Sequence, residues 1–451
     1  MNTPVASDAL PRPPGSWLRA HVQFARAPLE FPLRCAREVG PLVELPMPGM
    51  RAVLVSDPES IERVLLRERE DYVKDWFTRK LSDVLGQGLL VSEGEFWKRQ
   101  RRLIQPAFHP RRIAGYAQVM VQEAEALAEE LRDGEVRDLH AEMMRLTLRI
   151  VARTLFGSEV SAQQAAQVER ALAVVTDRYM GVMETGLLLP TWFPSPGMAR
   201  FRRAMRELDA LLMGIVRARR RAQREGAAPG DDLLGMLLSA QDDDGARMTD
   251  EQLRDECMTL FLAGHETTAL NLAFTLYLLS QHPEAEARLH AELDTAGDGV
   301  AAGLEALDAL PYTRAVIDES LRLYPPAWAV GREAVRDVEL RGHGLPRGTQ
   351  VWIATYVIHR SAEHFGEPEA FRPERWMDGL RERLPRHVFM PFGGGPRVCI
   401  GNRFALAEAA LVLATLARRH RFELAQDPAL ELMPSVTLRP RGGLRMRVRA
   451  R

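Results

Sequence analysis

The stretch Phe392-Gly393-Gly394-Gly395-Pro396-Arg397-Val398-Cys399-Ile400-Gly401 decides how this chain is read. Three glycines and a proline set a tight turn. An arginine, a cysteine and a further glycine follow, and helical spacing begins directly afterwards over 402–418. A thiol there lies by a helix N-terminus, where backbone N–H groups and the macrodipole favour a thiolate. Glycines carry no side chain, so they predict a backbone that approaches a flat ligand closely. A single thiolate with no second soft ligand nearby suits one axial bond to a metal already held by a macrocycle.

The other cysteines, Cys35 and Cys257, read as inert buried thiols. Three widely spaced cysteines with no C-x-x-C pair exclude a disulfide framework and a zinc ribbon, and point to a reducing compartment. The chain has 451 residues, 46% of them hydrophobic, enough for a large core. Its 60 Lys+Arg nearly cancel 61 Asp+Glu, which argues against a protein that coats nucleic acid. No run approaches the ~18 apolar residues of a membrane span, and the N-terminus MNTPVASDALPRPPGSWLRA lacks the pattern of a secretory signal. A cytoplasmic, monomeric protein is expected. Lysine occurs only at Lys74, Lys80 and Lys98, which reads as the bias of a GC-rich genome.

Residues 1–15 are Pro-rich and read as a loose lead-in to one large domain over 16–451. Residues 41–56 suit a small hairpin. Helical spacing dominates from about 57 to 325, as in Pro58–Arg69, Arg111–Leu131, Leu139–Leu155 and Ala162–Met180. The longest periodic run is 251–282, closed by Pro283. Short strands are predicted within 335–358, and a last hairpin over 430–450. The fold class is therefore mainly α with small β-sheets.

The spacing F-x-x-G-x-R-x-C-x-G resembles the haem-binding signature of the cytochrome P450 family, with Phe392, Gly395, Arg397, Cys399 and Gly401 at its fixed positions. Three further matches follow the family's order. Glu319-Ser-Leu-Arg322 resembles its E-x-x-R helix, and Arg375 in PERW completes a Glu–Arg–Arg network. Trp97-x-x-x-Arg101 resembles the pair that contacts a haem propionate. The resemblance spans roughly residues 40–445. It implies the family's fold, with a long central helix over haem b (iron protoporphyrin IX), and Cys399 as axial thiolate. Trp97, Arg101, Arg332 and Arg397 are then the candidate propionate partners, with Phe392, Gly401, Ala263 and Gly264 against the cofactor. His359 resembles a family position but is assigned no contact.

The run Ala263-Gly264-His265-Glu266-Thr267-Thr268 lies within the long helix. A mid-helix glycine costs about 1 kcal/mol relative to alanine, and Glu-Thr-Thr is expensive to bury without partners. A cofactor face explains both: Gly264 leaves room above the metal, and the Thr267 hydroxyl opens the helix locally. The resemblance makes Glu266 and Thr267 the acid–threonine pair that relays protons from bulk water to dioxygen. His265 reads as a packed histidine rather than a rival ligand.

These matches imply a monooxygenase that hydroxylates an apolar small molecule, such as a fatty acid, terpenoid or carotenoid. With no flavin or nicotinamide motif in the chain, electrons are expected from a separate ferredoxin or flavodoxin with its NAD(P)H reductase. It would meet Lys98, Arg99, Arg102 and Arg403. Candidate pocket residues are Trp76, Phe77, Leu89, Met183, Thr268, Ala327, Trp328, Val330 and Val436, with 76–90 at the mouth and 179–198 as an apolar lid. A peroxide-driven member of the same fold and a haem-thiolate sensor or carrier are the alternatives, since fold alone does not fix function.

Overall fold

In a computed structural model, the structure describes residues 9–185, 190–228, 230–241, 245, 247–297, 304–427 and 430–451. The predicted long helix is Asp250–Gln281, which at 1.5 Å per residue is about 48 Å long. A capping box starts it: Gln252 N donates to Thr249 Oγ1, and Gln252 Oε1 accepts from Thr249 N. Pro283 opens the next helix and so ends this one. Buried residues lie on every side of it, because it runs through the middle of the fold. Helices Leu139–Phe156, Pro311–Leu323 and Asn402–Arg419 pack around it.

The minor sheets hold the flanks. One sheet has the order β1 (Leu42–Leu45), β2 (Ala52–Val55), β8 (Gln350–Ile353), β5 (Val330–Ala334), β3 (Tyr72–Lys74), with only β2 and β8 parallel. A second joins β4 (Val136–Asp138), β12 (Arg445–Ala450) and β9 (His420–Leu424). Strands β6 (Val338–Leu340) and β7 (His343–Leu345) form a hairpin, as do β10 (Leu432–Pro434) and β11 (Leu438–Pro440). No helix among the described residues is long and apolar enough to cross a membrane.

Several expectations change. The lead-in is not loose at its end: Leu10 is buried and Pro11 O accepts from Glu44 N. Residues 1–8 lie outside the described set. Pro58–Arg69 is helical only to Glu62, then widens into a π-turn at Arg63–Arg67. Thr355–Ile358 is one helical turn instead of strand. Residues 430–450 divide between a hairpin and β12, which leaves to pair with β9 and β4.

The Glu–Arg–Arg network is present. Glu319 and Arg322 are fully buried, and Arg322 grips Glu319 with two hydrogen bonds of 2.9 and 2.8 Å. Arg375 Nε, Trp376 Nε1 and Arg372 N also donate to the Glu319 carboxylate. The remaining Arg322 donors reach the carbonyls of His359, Pro368 and Ala370. Both fully buried charges of this network, Glu319 and Arg322, are thus paired, as burial requires. Arg322→Leu strands the Glu319 carboxylate and is expected to cost about 3–5 kcal/mol, read as a lower urea midpoint. A midpoint equal to that of the parent protein would show the network to be dispensable.

Candidate active site

The loop before Cys399 is closed by its own backbone. Cys399 N donates to Phe392 O at 2.9 Å, Val398 N to Gly395 O, and Gly393 N to Met390 O. Gly393 and Gly395 take positive φ, which favours glycine. Two glycines of the triple make close approaches to protein. A Cβ on Gly395 would lie 2.1 Å from Leu65 O in the π-turn, and one on Gly394 would strike His387. The turn therefore docks the loop on residues 63–67. His359 fixes the other side: its Nε2 accepts from Met390 N at 2.9 Å, while Nδ1 lies 3.3 Å from Arg322 O. Burial, with Arg322 adding to it, pushes His359 down to about 3, so it is neutral and holds one tautomer.

Cys399 is exposed, yet protein surrounds it at longer range, and that burial raises its thiol pKa. The Gly401 N–H and Arg101 pull the other way. Beside it, Trp97 is covered by two guanidinium groups, with Arg397 Cζ 3.8 Å and Arg101 Cζ 5.7 Å from its ring centroid. Arg397 donates to Ser92 O at 2.8 Å and pairs with Glu93. Burial brings Arg397 down to about 10 and also lowers Arg101.

Arg332 is not a solvated strand end. It is 7% exposed, donates to Gly331 O, and stands in register with Lys74 across β5 and β3. Like charges opposed across strands repel. Lys74 is itself buried, and burial, reinforced by Arg332 and Arg397, drives it down to about 7. Arg101, Arg332 and Arg397, with Lys74 when protonated, face two carboxylates, Glu93 and Asp75, so the cluster carries a surplus of one positive charge, and of two with Lys74 charged. Two carboxylates on one ligand would balance it. Sequence reading missed Lys74; its rarity among 60 Lys+Arg was the available signal.

On the long helix, Ala263 is exposed and Thr267 half-exposed, while their neighbours His265, Glu266 and Thr268 are buried. Positions 263 and 267 share a helical face. An open alanine in the middle of a buried helix marks a wall that protein does not cover. The Thr267 hydroxyl donates to Ala263 O at 2.9 Å and the helix is unbroken, so no local opening is present. Gly264 packs near Val151: a Cβ there would sit 3.4 Å from Val151 Cγ2. His265 is buried with Nδ1 2.8 Å from Phe261 O, the packed histidine expected.

Glu266 is not open to bulk water. It is 8% exposed and its Oε1 accepts from Arg439 Nη2 at 2.6 Å, from Arg439 Nε and from Thr437. Burial pushes it up, but Arg439 and Thr437 outweigh that and hold it below the usual carboxylate range.

The pocket residues divide. Trp76 and Phe77 line a small cavity with Phe24, Met47, Met50 and Trp352. Neither Cys399 nor Thr267 lines it, so Trp76 and Phe77 are not brought together with them there. Ala327 is exposed, and Val330 and Val436 are half-buried. Thr268 is turned away: it is buried, 3.5 Å from Gly264 O, and faces the acid Glu408. Trp328 is buried against Trp352 with Nε1 donating to Ser435 O, so it is core. Leu89 is buried and donates its N–H to Glu256. The Met183 side chain and residues 186–189 of the expected lid lie outside the described residues.

These residues fit a haem: a lone thiol beside a helix start, a buried cationic surplus for two propionates, and an uncovered helical wall carrying a threonine. The comparisons agree. The chain matches the family described as cytochrome P450 over residues 10–445. It is 37% identical to cyclooctat-9-en-7-ol 5-monooxygenase of Streptomyces melanosporofaciens, covering 88% of this chain and 85% of that protein. It is also 37% identical to cyclooctatin synthase of the same organism, covering 96% and 94%. Pentalenene oxygenase of Streptomyces avermitilis is 34% identical, with 95% and 94% covered. By sequence, fold and site alike, this chain belongs to the cytochrome P450 family, whose members carry haem b on a cysteine thiolate.

Proposed function

We propose that this chain is a monooxygenase that hydroxylates a cyclic, largely hydrocarbon terpenoid, with Cys399 as the axial thiolate. The observation that carries the reading is the buried cationic surplus beside the Cys399 loop. The monooxygenase class is that of similar enzymes, and their names, for cyclooctat-9-en-7-ol and pentalenene, favour the terpenoid.

When bound, haem supplies the reduction of dioxygen by two electrons and two protons, placing one oxygen in substrate and one in water. The chain's own residues prepare that chemistry. Arg101, Arg332, Arg397 and Lys74, with the Trp97 indole, would hold the two carboxylates. Thr267 can exchange its bond to Ala263 O for one into the site. Glu266 holds negative charge beside it and is the group that passes a proton on. Ala263, Ala327, Val330 and Val436 would form apolar walls that exclude water. Electrons would come from a separate ferredoxin or flavodoxin with its NAD(P)H reductase, meeting Lys98, Arg99, Arg102 and Arg403. Arg99 and Arg102 line a surface groove of about 430 Å³ with Leu103 and Met236, which supports that docking face. A monomer in the cytoplasm completes the reading.

Screening cyclic terpenoids for a low-to-high-spin Soret shift, then for oxygenated product with surrogate redox partners, tests the substrate class. Cys399→Ala is expected to abolish both product and the red-shifted ferrous–CO band; retention of that band would reject Cys399 as ligand. Thr267→Ala should cut the fraction of electrons recovered in product about tenfold, and full coupling would remove Thr267 from proton delivery.

Lys74 gives a prediction for the protein without haem. Its folded pKa, about 7, lies below the ~10.4 of an unfolded lysine. The unfolded chain therefore binds more protons between these values, and apoprotein stability rises with pH across that window. Lys74→Met should flatten this rise, stabilise the apoprotein at neutral pH, and weaken hemin retention. A stability curve still as steep as the parent's would show that Lys74 is not the source.

A further inference from the structure

We propose that two exposed aromatic segments seat this chain on an anionic phospholipid surface. Among the described residues, eight large apolar side chains are exposed, and five of them fall in two short stretches: Trp17, Leu18 and Val22, then Trp192 and Phe193. Trp192 is 75% exposed and Trp17 is 53% exposed. An indole has an apolar body and one N–H donor, which suits the boundary between hydrocarbon and water.

Each segment is folded so that these side chains stay out. Ser16 caps helix Trp17–Arg26, which buries Ala20 and Phe24 on one side and leaves Trp17, Leu18 and Val22 on another. A helix with only water outside it would carry polar groups there. In the second segment, Pro190, Pro194 and Pro196 bracket the aromatic pair. Phe193 N donates to Pro190 O at 3.0 Å, Ser195 N to Phe193 O at 2.9 Å, and Arg202 Nη1 to Thr191 O at 2.6 Å. These bonds hold the Trp192–Phe193 tip in place on helix Pro196–Arg224.

A run of contacts joins the two segments. Trp17 stacks on His21, and His21 lines the small cavity together with Trp76 and Phe77. Phe77 meets Tyr179 edge-on, with ring centroids 5.7 Å apart. Beside Tyr179, Arg178 pairs with Asp83 at 2.7 Å and lies over the ring of Phe201, the neighbour of Arg202. Residues 76–83 therefore stand between the two segments.

Charge selects the partner. Residues 9–29 contain three arginines and no acid, and residues 190–206 contain four arginines and no acid, in a chain of net charge -1. Arg12 pairs with Glu44 and Arg203 with Glu207, while Arg19, Arg26, Arg200 and Arg206 stand exposed near the aromatic groups. Tryptophans set among arginines fit anionic headgroups: the rings enter the boundary and the guanidinium groups meet the phosphates. A second copy of this chain docked on the same face would set like charges against each other. No helix among the described residues can cross a bilayer, so the chain would lie on the surface. Under the terpenoid reading, on which this step alone rests, residues 76–83 would then face the lipid in which a hydrocarbon substrate dissolves.

The test is co-sedimentation of the full-length haem protein with vesicles of phosphatidylcholine alone or of equimolar phosphatidylcholine and phosphatidylglycerol. Binding to the anionic vesicles should be at least roughly tenfold tighter and should weaken as salt is added. Trp17→Ser with Leu18→Ser, and separately Trp192→Ser with Phe193→Ser, should each lower that affinity about tenfold. Both double variants should keep the ferrous–CO band of the parent, which shows that they are folded. Absence of binding, equal binding to neutral vesicles, or a serine pair that leaves the affinity unchanged would overturn the proposal. Sedimentation velocity covers the other occupant: a parent dimer that either serine pair converts to monomer would assign the face to self-association instead. No turnover is measured, so a failure to find oxygenated product would remove the terpenoid reading and leave the docking result intact.

Discussion

The structure turns on one carboxylate with no water around it. Glu319 is fully buried and accepts from Arg322, Arg375, Trp376 and the Arg372 backbone. An ion this deep is tolerated only when its lone pairs are used, so the groups that use them are fixed in place. The constraint travels. Arg322 holds the carbonyl of His359, His359 receives the N–H of Met390, and Met390 O receives the N–H of Gly393. Phe392 then holds Cys399 through its backbone carbonyl. A chain of hydrogen bonds thus runs from a helix remote in sequence to the reactive sulfur. Its energetic value is modest link by link, but its geometry leaves the thiol one position.

Around that position the electrostatics are unfavourable for the protein alone. Lys74 and Arg332 oppose each other across two strands, and neither Glu93 nor Asp75 neutralises the cluster fully. The tight sheet β1-β2-β8-β5-β3 holds them together against repulsion. Binding of a dianionic ligand there would relieve that repulsion and stabilise the folded chain. The same logic governs Cys399, whose thiol is pushed up by burial while Gly401 and Arg101 favour the anion.

How far the sequence revealed this depends on the kind of constraint. Cys399, Glu319, Arg322, Arg375, Trp97 and Arg101 were legible because fixed spacings carry them, and the long helix was legible because its periodicity is long. Strands β3, β4, β5 and β9 were not, since three to five residues give too little alternation to read. One glycine's packing role was not visible: Gly395 relieves a close contact with Leu65 O, a partner more than a hundred residues away that no local pattern shows. Thr268 faces Glu408 because a helix turns about 100° per residue, so the neighbour of Thr267 points elsewhere, and Trp328, in the irregular segment before β5, packs on Trp352 instead. Lys74 carried no motif at all, and only its strand partner Arg332 gives it meaning.

The treatment of Glu266 shows why long-range partners matter for mechanism. As a sequence letter it is an acid next to a threonine, free to swing between water and the site. In the fold it is a buried anion held on one oxygen by Arg439 and Thr437. Such a group is well placed to keep its charge and poorly placed to fetch a proton from outside. Neutralising it also weakens its hold on Arg439, so each protonation of Glu266 loosens the hairpin that bears Val436. A single ion pair therefore ties the charge on Glu266 to the hairpin that carries Val436.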